Sequence, residues 1–311
     1  MQSNAVDDRT KLTLRNQVEL LCFRLAPGGT VFAVNVFKVR EAVKFQELTE
    51  LPESGEFAID GLLTLRNEII PVVDMGRWLY KGLPILVDGR TVSINDKDRQ
   101  IIICEFNNVI IGIKVFKAEY ILRKDWSQIH VPVSSEFGGR INNYTKNNKE
   151  EIVYIVDVES MLAELFPQVT ATVDEETAGL AQVDIDKSRT LLIAEDSPVA
   201  LKALCKVLDK LGVKYKSFVN GRLLLNYVES VDPATIGMII TDLEMPVASG
   251  FTVIKELKAK EATRKIPIVV NSSMTGESNQ QMAASLNAEG FIGKTKPAEI
   301  ASYVKRFMSR G

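Results

Sequence analysis

The chain has 311 residues, which is too long for one typical domain and suits two domains that each bury a core. Apolar residues make up 46% and charged residues 25%, which excludes a chain that is disordered over most of its length. The 38 basic and 40 acidic side chains give a net charge of -2, which excludes a global field for holding nucleic acid or an anionic membrane.

The first residues lack the apolar core of a signal peptide, and no apolar run is long enough to span a bilayer. Cys22, Cys104 and Cys205 lie in separate apolar runs without metal-ligand spacing, so we expect buried free thiols in a reducing compartment. We therefore expect a cytoplasmic protein that does not itself insert into a membrane.

From about residue 17 to residue 132, short runs rich in Val, Ile and Phe alternate with Gly, Pro, Asn and Asp. This pattern predicts an all-β barrel or sandwich. The strand candidates are VELLCFRL, GTVFAVNV, IIPVVDM, IIICEF and VIIGIKVF, and Asn107-Asn108 between the last two predicts a tight hairpin. YIVDVESMLAELF then predicts a strand and a short helix that closes this domain.

One internal repeat lies within these strands. VFAVNVFKVREAV (residues 31–43) aligns without a gap with IIGIKVFKAEYIL (residues 110–122), and both contain VFK after an apolar strand. The repeat predicts two similar β units packed as halves of one module, each with a strand followed by a short segment that carries specificity. The alternative is a chance resemblance, because Val-rich strands are common in such folds.

The segment PQVTATVDEETAGLAQVDIDKSR (residues 167–189) is small, polar and acidic, without sustained apolar periodicity. This composition predicts a linker. We therefore divide the chain into an N-terminal domain over residues 11–168, a linker over residues 169–188 and a C-terminal domain over residues 189–311.

From Thr190 onward, strands of the buried type alternate with helical segments in five βα units. Ser197 and Pro198 provide a cap and a first-turn proline for the first of these helices. This alternation predicts a doubly wound, flavodoxin-like parallel sheet with helices on both faces. The ligand site of such a sheet lies at the carboxyl ends of the strands.

Acidic residues follow two of these strands. Glu195 and Asp196 follow the first strand, and Asp242 follows the third. Since the first and third strands are neighbours in such a sheet, the three carboxylates should converge on one crevice. Crowded carboxylates require a cation, and hard oxygen ligands suit Mg²⁺. The sequence therefore predicts a magnesium site.

The other two strands contribute a hydroxyl and an ammonium group, because Ser272 ends the fourth strand and Lys294 follows the fifth. A carboxylate that attacks a phosphoryl group needs a metal, a cation and a hydroxyl to stabilise the phosphoryl oxygens. We predict that Asp242 is the phosphoacceptor. Each residue alone has an ordinary structural explanation, but their combination at four strand ends favours phosphoryl chemistry.

Four motifs in this order resemble the receiver domains of two-component response regulators, over about residues 190–311. They are IAEDS (193–197), TDLEMPVASG (241–250), PIVVNSS (267–273) and GFIGK (290–294). The resemblance implies that Asp242 accepts the phosphoryl group and that Glu195 and Asp196 form the acidic pair. It also implies that the backbone carbonyl of Glu244 completes the metal shell and that Phe291 is the switch aromatic, which moves together with the switch hydroxyl.

The chain departs from the receiver pattern at two places. The usual Lys-Pro pair is Lys294-Thr295 here, while Lys296-Pro297 follows two residues later, so Lys296 is the alternative for the lysine role. Lys294 is favoured because it follows GFIG at the strand end, whereas Lys296 precedes a proline that starts the next helix. Ser273 replaces the alanine common after the switch hydroxyl, which leaves the strength of the conformational switch open.

In the first half, GLLTLRNEIIPVVDMGRWL (61–79), with FAVNVFKVREAV upstream, resembles the CheW family of chemotaxis coupling proteins over about residues 17–167. The resemblance implies two small SH3-like β-barrels that bind the kinase CheA and the cytoplasmic tips of chemoreceptors through apolar strand surfaces. Arg66 matches the family's arginine and would shape that surface or touch a partner. The alternative is an ordinary salt-bridged arginine at a strand end. Trp78 and Trp126 are expected in the core.

A CheW-like module followed by a receiver resembles the CheV family. The resemblance implies a chemotaxis adaptor, associated with receptor arrays through its partners, that couples chemoreceptors to the histidine kinase CheA. Phosphorylation of Asp242 would modulate this coupling, and the only catalysis expected is self-catalysed phosphoryl acceptance with slow autodephosphorylation. The alternative is a phosphate sink that drains phosphoryl groups from CheA. A transcription regulator is disfavoured, because no helix-turn-helix pattern or basic patch follows the receiver.

Overall fold

The computed structural model describes residues 16–50, 57–106, 109–132, 137–273, 275–294 and 296–309. Its contacts divide the chain into two compact units. The N-terminal unit comprises residues 19–124 and 129–165, and the C-terminal unit comprises residues 166–311 together with residues 16–18 and 125–128. No helix in these described ranges is long and apolar enough to cross a membrane.

The first part of the chain is built mainly of strands, as predicted. They are β1 (Gln17–Arg24), β2 (Val31–Asn35), β3 (Val39–Lys44), β4 (Ile59–Leu65), β5 (Glu68–Asp74), β6 (Leu86–Val87), β7 (Arg90–Thr91), β8 (Gln100–Phe106), β9 (Val109–Val115), β10 (Lys117–Asp125), β11 (Ile141–Lys146) and β12 (Ile152–Val156). Helix α1 (Met75–Leu79) follows β5, and α2 (Val158–Leu165) follows β12. The predicted strand and closing helix of YIVDVESMLAELF are therefore confirmed.

Ten of these strands form two five-stranded sheets, in the orders β10-β1-β2-β12-β11 and β3-β8-β9-β5-β4. The two copies of the sequence repeat occupy reciprocal places. Strand β2 belongs to the first sheet and leads into β3 of the second, whereas β9 belongs to the second sheet and leads into β10 of the first. This exchange supports the interpretation of two similar halves over that of a chance resemblance.

Strands β8 and β9 are antiparallel, with Phe106 opposite Val109, but the predicted turn residues Asn107 and Asn108 lie outside the described residues. Cys22 and Cys104 are buried. Burial of the Cys22 thiol raises its pKa to about 12. Cys205 is only half-buried, so the expectation of three buried thiols was wrong for this residue.

The C-terminal unit has the predicted alternation of strands and helices. It begins with α3 (Pro167–Ala178). The elements that follow are β13 (Thr190–Ala194), α4 (Pro198–Leu211), β14 (Tyr215–Phe218), α5 (Gly221–Ser230), β15 (Ile236–Thr241), α6 (Gly250–Ala259), β16 (Ile268–Ser272), α7 (Glu277–Ser285), β17 (Gly290–Gly293) and α8 (Pro297–Met308). All neighbouring strands are parallel, in the order β14-β13-β15-β16-β17. The predicted doubly wound sheet is confirmed.

The sheet buries both of its faces, which explains the continuous apolar character of its central strands. Along β13, Leu191 and Ile193 pack into one apolar core, while Leu192 and Ala194 pack into the core on the opposite face. Helix α4 begins as predicted, since Ser197 caps its N-terminus and Pro198 occupies the first turn.

Residues in the predicted linker form a helix and pack against the C-terminal unit. Helix α3 (Pro167–Ala178) packs against α4 and α8. Beyond it, Ile185 is buried in the apolar core of the C-terminal unit and the Asp186 N–H donates to the Met308 carbonyl at 2.8 Å. The sequence did not predict this packing, because the apolar residues of the segment are too few and too widely spaced to give a periodic pattern.

Candidate functional site

The carboxyl ends of β13 and β15 bring the three predicted acidic residues together. Ala194 lies beside Thr241 in the parallel register of these strands, so the residues that follow each strand emerge side by side. Carboxylate oxygens of Glu195, Asp196 and Asp242 all lie within 4.8 Å of one another. Glu195 and Asp242 are buried, and Asp196 is half-buried.

Lys294 reaches into this cluster from the end of β17. Its ammonium Nζ lies 2.9 Å from Oε1 of Glu195 and 3.2 Å from Oδ2 of Asp242, and its side chain is almost fully buried. Lys296, the alternative lysine, instead pairs with Glu299 at 2.9 Å on an exposed part of α8. Lys294 is therefore the lysine that the fold places at the carboxylates.

The backbone around Asp242 holds its carboxylate in one orientation. The Leu243 N–H donates to Oδ1 at 2.7 Å while Lys294 contacts Oδ2, so each oxygen has a donor. Gly250 begins α6 directly against the Asp242 carbonyl, since a Cβ there would lie 2.1 Å from that oxygen. Glycine at position 250 thus lets the helix approach the acidic residue.

The remaining predicted residues lie around the same edge of the sheet. Ser272 is fully buried at the end of β16, and its carbonyl accepts a hydrogen bond from the Lys294 N–H at 3.2 Å. Glu244 is buried in the loop after Asp242. Phe291 lies on β17 opposite Val270 and packs, partly buried, against the apolar core.

The cluster can be compared with the requirements of a divalent metal. Its donors are carboxylate oxygens. Hard cations such as Mg²⁺ prefer such oxygen ligands, whereas softer metals prefer sulfur or nitrogen ligands. Lys294 brings one positive charge to three acidic side chains, so the group retains negative charge that a divalent cation offsets. Glu195, Asp196 and Asp242 therefore fit a hard divalent cation.

Two residues that hold the loop after Asp242, Asn16 and Ser249, were not predicted from the sequence. Ser249 caps α6, which its place before Gly250 and an apolar helix could have indicated. Asn16 accepts a hydrogen bond from the Ser249 N–H at 3.1 Å. No local pattern could reveal this contact, because the two residues are 233 positions apart in the chain.

Arg66 lies at a different place, the tip of the hairpin between β4 and β5. Arg66 and Asn67 both have positive φ values, 48° and 68°, as two-residue hairpin turns of the primed type require. The Arg66 side chain is 77% exposed and pairs with Glu41 at 3.0 Å. Trp78 and Trp126 are buried, as predicted.

Two protein families match the chain in the order of its two parts. The CheW-like domain family matches residues 19–166, and the response regulator receiver domain family matches residues 191–305. A chemotaxis protein CheW from Thermotoga maritima is 27% identical over 150 residues, which cover 48% of this chain and 90% of that protein. The crystal structure of the scaffolding protein TtCheW from Thermoanaerobacter tengcongensis covers 45% of this chain and 84% of that one, with 25% identity and a TM-score of 0.38.

Two relatives match nearly the whole length. Chemotaxis protein CheV1 of Helicobacter pylori is 40% identical over 315 residues, which cover 97% of each protein. Chemotaxis protein CheV2 of the same organism is 37% identical over 311 residues, which cover 98% of this chain and 99% of that protein. The chain therefore belongs to the CheV family of chemotaxis proteins and consists of a CheW-like domain followed by a response-regulator receiver domain.

Proposed function

We propose that this chain couples chemoreceptors to the histidine kinase CheA, and that Mg²⁺-dependent phosphorylation of Asp242 modulates the coupling. The observation that carries the proposal is the convergence of Glu195, Asp196, Asp242 and Lys294 at the carboxyl edge of the receiver sheet. The adjoining CheW-like domain supports the coupling role.

The chemistry proposed at Asp242 is transfer of one phosphoryl group. A carboxylate oxygen of Asp242 forms a bond to phosphorus while the bond from phosphorus to the donor nitrogen of phospho-CheA breaks, and that nitrogen keeps the electron pair. Lys294, which already contacts Oδ2, would offset charge on the phosphoryl oxygens. The Ser272 hydroxyl would donate a hydrogen bond to one of these oxygens.

In this proposal Glu195, Asp196, Asp242 and the Glu244 carbonyl would hold Mg²⁺. When bound, the ion supplies positive charge next to the phosphoryl oxygens. The chain's own residues orient the nucleophile, because the Leu243 N–H and the Lys294 ammonium group each hold one carboxylate oxygen of Asp242.

The phosphoacceptor assignment is tested by incubating full-length protein with radiolabelled phospho-CheA and Mg²⁺. We expect wild-type protein to take up label and Asp242→Ala to take up none, because the nucleophile is absent. Asp184→Asn, a change at an exposed aspartate of the same unit, is the matched control and should be labelled normally. Persistent labelling of Asp242→Ala would overturn the assignment.

The lifetime of the phosphorylated form separates an adaptor from a phosphate sink. An adaptor requires a long-lived form whose affinity for CheA or receptor tips differs from that of the unphosphorylated protein. This is measured by pull-down with and without beryllofluoride, a phosphate mimic. Rapid turnover without any change of affinity would instead support the sink.

Arg66 is proposed as a residue of the coupling surface. Its guanidinium is largely exposed at the tip of the two-residue turn between β4 and β5, where a partner could reach it. Arginine is also a residue type on which protein interfaces depend strongly.

The role of Arg66 is tested by charge reversal. We expect Arg66→Glu to weaken binding to receptor tips or CheA at least tenfold, by the loss of about 1.4 kcal/mol of binding free energy, measured by titration calorimetry. Arg123→Glu is the matched control, because Arg123 is an exposed arginine of the other sheet that also pairs with a glutamate. Equal affinity of Arg66→Glu and wild type for both partners would contradict the assignment.

A further inference from the structure

The loop of residues 243–249, called here the acceptor loop, connects Asp242 to α6 and folds back on Asp242. At its start the Leu243 N–H donates to the Asp242 carboxylate, and at its end the Gly250 N–H donates to the Leu243 carbonyl at 3.0 Å. Both ends of the acceptor loop therefore touch the acidic site. Any change in the shape of this loop moves groups that contact Asp242.

Val247 gives the acceptor loop an unfavourable backbone conformation. Its φ is 68°, a region that residues with a Cβ rarely occupy and that β-branched residues occupy least. Such a conformation persists only where surrounding contacts determine it. The contacts that hold Val247 therefore fix the shape of the acceptor loop.

Those contacts come from residues far away in the sequence that belong to the same compact unit. The Asn16 Nδ2 donates to the Val247 carbonyl at 3.0 Å, and the Val247 N–H donates to the Trp126 carbonyl at 3.2 Å. Asn16 also accepts from the Ser249 N–H at 3.1 Å, and its own carbonyl accepts from the Trp126 N–H at 2.9 Å. Asn16 therefore holds three residues: the strained Val247, the helix cap Ser249, and Trp126, which itself contacts Val247.

We propose that Asn16 is a positioning residue that holds the acceptor loop in the shape in which Asp242 accepts a phosphoryl group. The proposal deepens the proposed function and rests on it. Asn16 acts through the loop, since its amide contacts Val247 and Ser249 and not Asp242 itself. An asparagine suits the position because its φ of 59° lies in the left-handed region, which asparagine tolerates better than most residues.

The chain connects this contact directly to two strands of the CheW-like domain. Asn16 immediately precedes β1, and Trp126 immediately follows β10, and β1 and β10 are neighbours in one sheet. The acceptor loop is thus held by residues that continue directly into the first residue of β1 and out of the last residue of β10.

The test uses full-length Asn16→Gly, which removes the three hydrogen bonds of the Asn16 side chain to Val247, Ser249 and Thr252 while keeping the left-handed conformation accessible. Asn287→Gly is the matched control, because Asn287 also has a positive φ, 64°. It lies in the turn before β17, at the amino ends of the strands, whereas Asp242 lies at their carboxyl ends. Phosphorylation is measured with acetyl phosphate at saturating Mg²⁺, well below the melting temperature. Amide hydrogen exchange of residues 243–252 is measured on the same proteins without any phosphodonor.

We expect Asn16→Gly to accept the phosphoryl group about fivefold more slowly, the effect of losing roughly one net hydrogen bond, and to exchange faster at Val247 and Ser249. Asn287→Gly should match wild type in both measurements. A wild-type rate in Asn16→Gly would overturn the proposal, and so would an equal slowing in both variants, which would indicate general destabilisation.

Failure of the proposed function would look different. If wild-type protein takes up no label, or if Asp242→Ala takes up as much as wild type, then Asp242 is not the phosphoacceptor. The exchange comparison needs no phosphodonor, so it still decides whether Asn16 holds the acceptor loop. Unchanged exchange at Val247 and Ser249 in Asn16→Gly would overturn that part of the proposal independently.

Discussion

At the scale of single residues, Lys114 of β9 illustrates how a charge is stabilised inside the N-terminal unit. Its side chain is 2% exposed, and its ammonium group lies 2.5 Å from Asp60, 3.2 Å from Asp74 and 3.3 Å from Asp96. A buried ammonium group is tolerated only where such partners surround it. Asp74 also caps α1, so the same cluster links strand and helix.

Replacing Lys114 with Met should lower the free energy of unfolding by about 3 kcal/mol, because three acidic side chains lose the buried cation that lies among them and keep only Arg77 and Arg99 at the edge of the cluster. Denaturant unfolding followed by circular dichroism measures this change. Lys117→Met, at an exposed position three residues later, should change stability by less than about 0.5 kcal/mol. A loss in Lys114→Met as small as that in Lys117→Met would show that the cluster is not stabilising.

At the scale of elements, the segment between the two domains belongs to the C-terminal unit. Helix α3 packs on α4 and α8, and Lys206 of α4 pairs with Asp174 of α3 at 2.9 Å. Farther along, the Val183 N–H donates to the Leu211 carbonyl and the Arg189 Nη2 donates to the Phe307 carbonyl. These contacts attach residues 183–189 to the ends of both helices.

Ile185→Asp should detach this segment, because it places a carboxylate in the apolar core beside α4 and α8. We expect faster amide exchange at Val183 and Asp186, whose N–H groups are bonded to Leu211 and Met308, with little change in the central strands. Asp184→Asn, at the exposed neighbouring position, should exchange as wild type does. Unchanged protection of Val183 and Asp186 in Ile185→Asp would contradict this prediction.

At the scale of the whole molecule, the chain contains two compact units. The sheet of the C-terminal unit is covered on both faces by apolar clusters of its own, and a separate cluster around Leu63, Val72 and Ile101 lies within the N-terminal unit. Units with separate cores can unfold in separate transitions. A ligand of the receiver should therefore stabilise one transition selectively.

Mg²⁺ at ten times its dissociation constant should stabilise the C-terminal unit by about 1.4 kcal/mol. Differential scanning calorimetry should show this as an upward shift of one transition, and removal of the metal with EDTA should reverse it. Asp196→Asn should reduce the shift, because a charged oxygen ligand is lost. Asp184→Asn should keep the full shift, and a full shift in Asp196→Asn would exclude Asp196 as a ligand.

Much of this architecture could be predicted because its signals are local. The strands and helices after Thr190 follow from buried apolar runs alternating with helical periodicity, and the acidic residues follow from their positions directly after β13 and β15. The Lys294 position also follows from a strand end. The helix over residues 167–178 escaped prediction, because its stability comes from packing on α4 and α8 and not from a strong apolar stripe of its own.

The sequence by itself therefore determined the alternation of strands and helices after Thr190, the two domain types and which acidic residues meet at one edge of a parallel sheet. The sequence favoured Lys294 over Lys296, and tertiary structure decided which atoms each lysine contacts: Lys294 lies between Glu195 and Asp242, while Lys296 pairs with Glu299. Only the tertiary structure brings Asn16 into contact with Val247 of the acceptor loop, because the two residues are 231 positions apart in the sequence. The physical reason is that strand ends and helix caps are specified by neighbouring residues, whereas side-chain contacts between distant segments depend on how the folded elements pack.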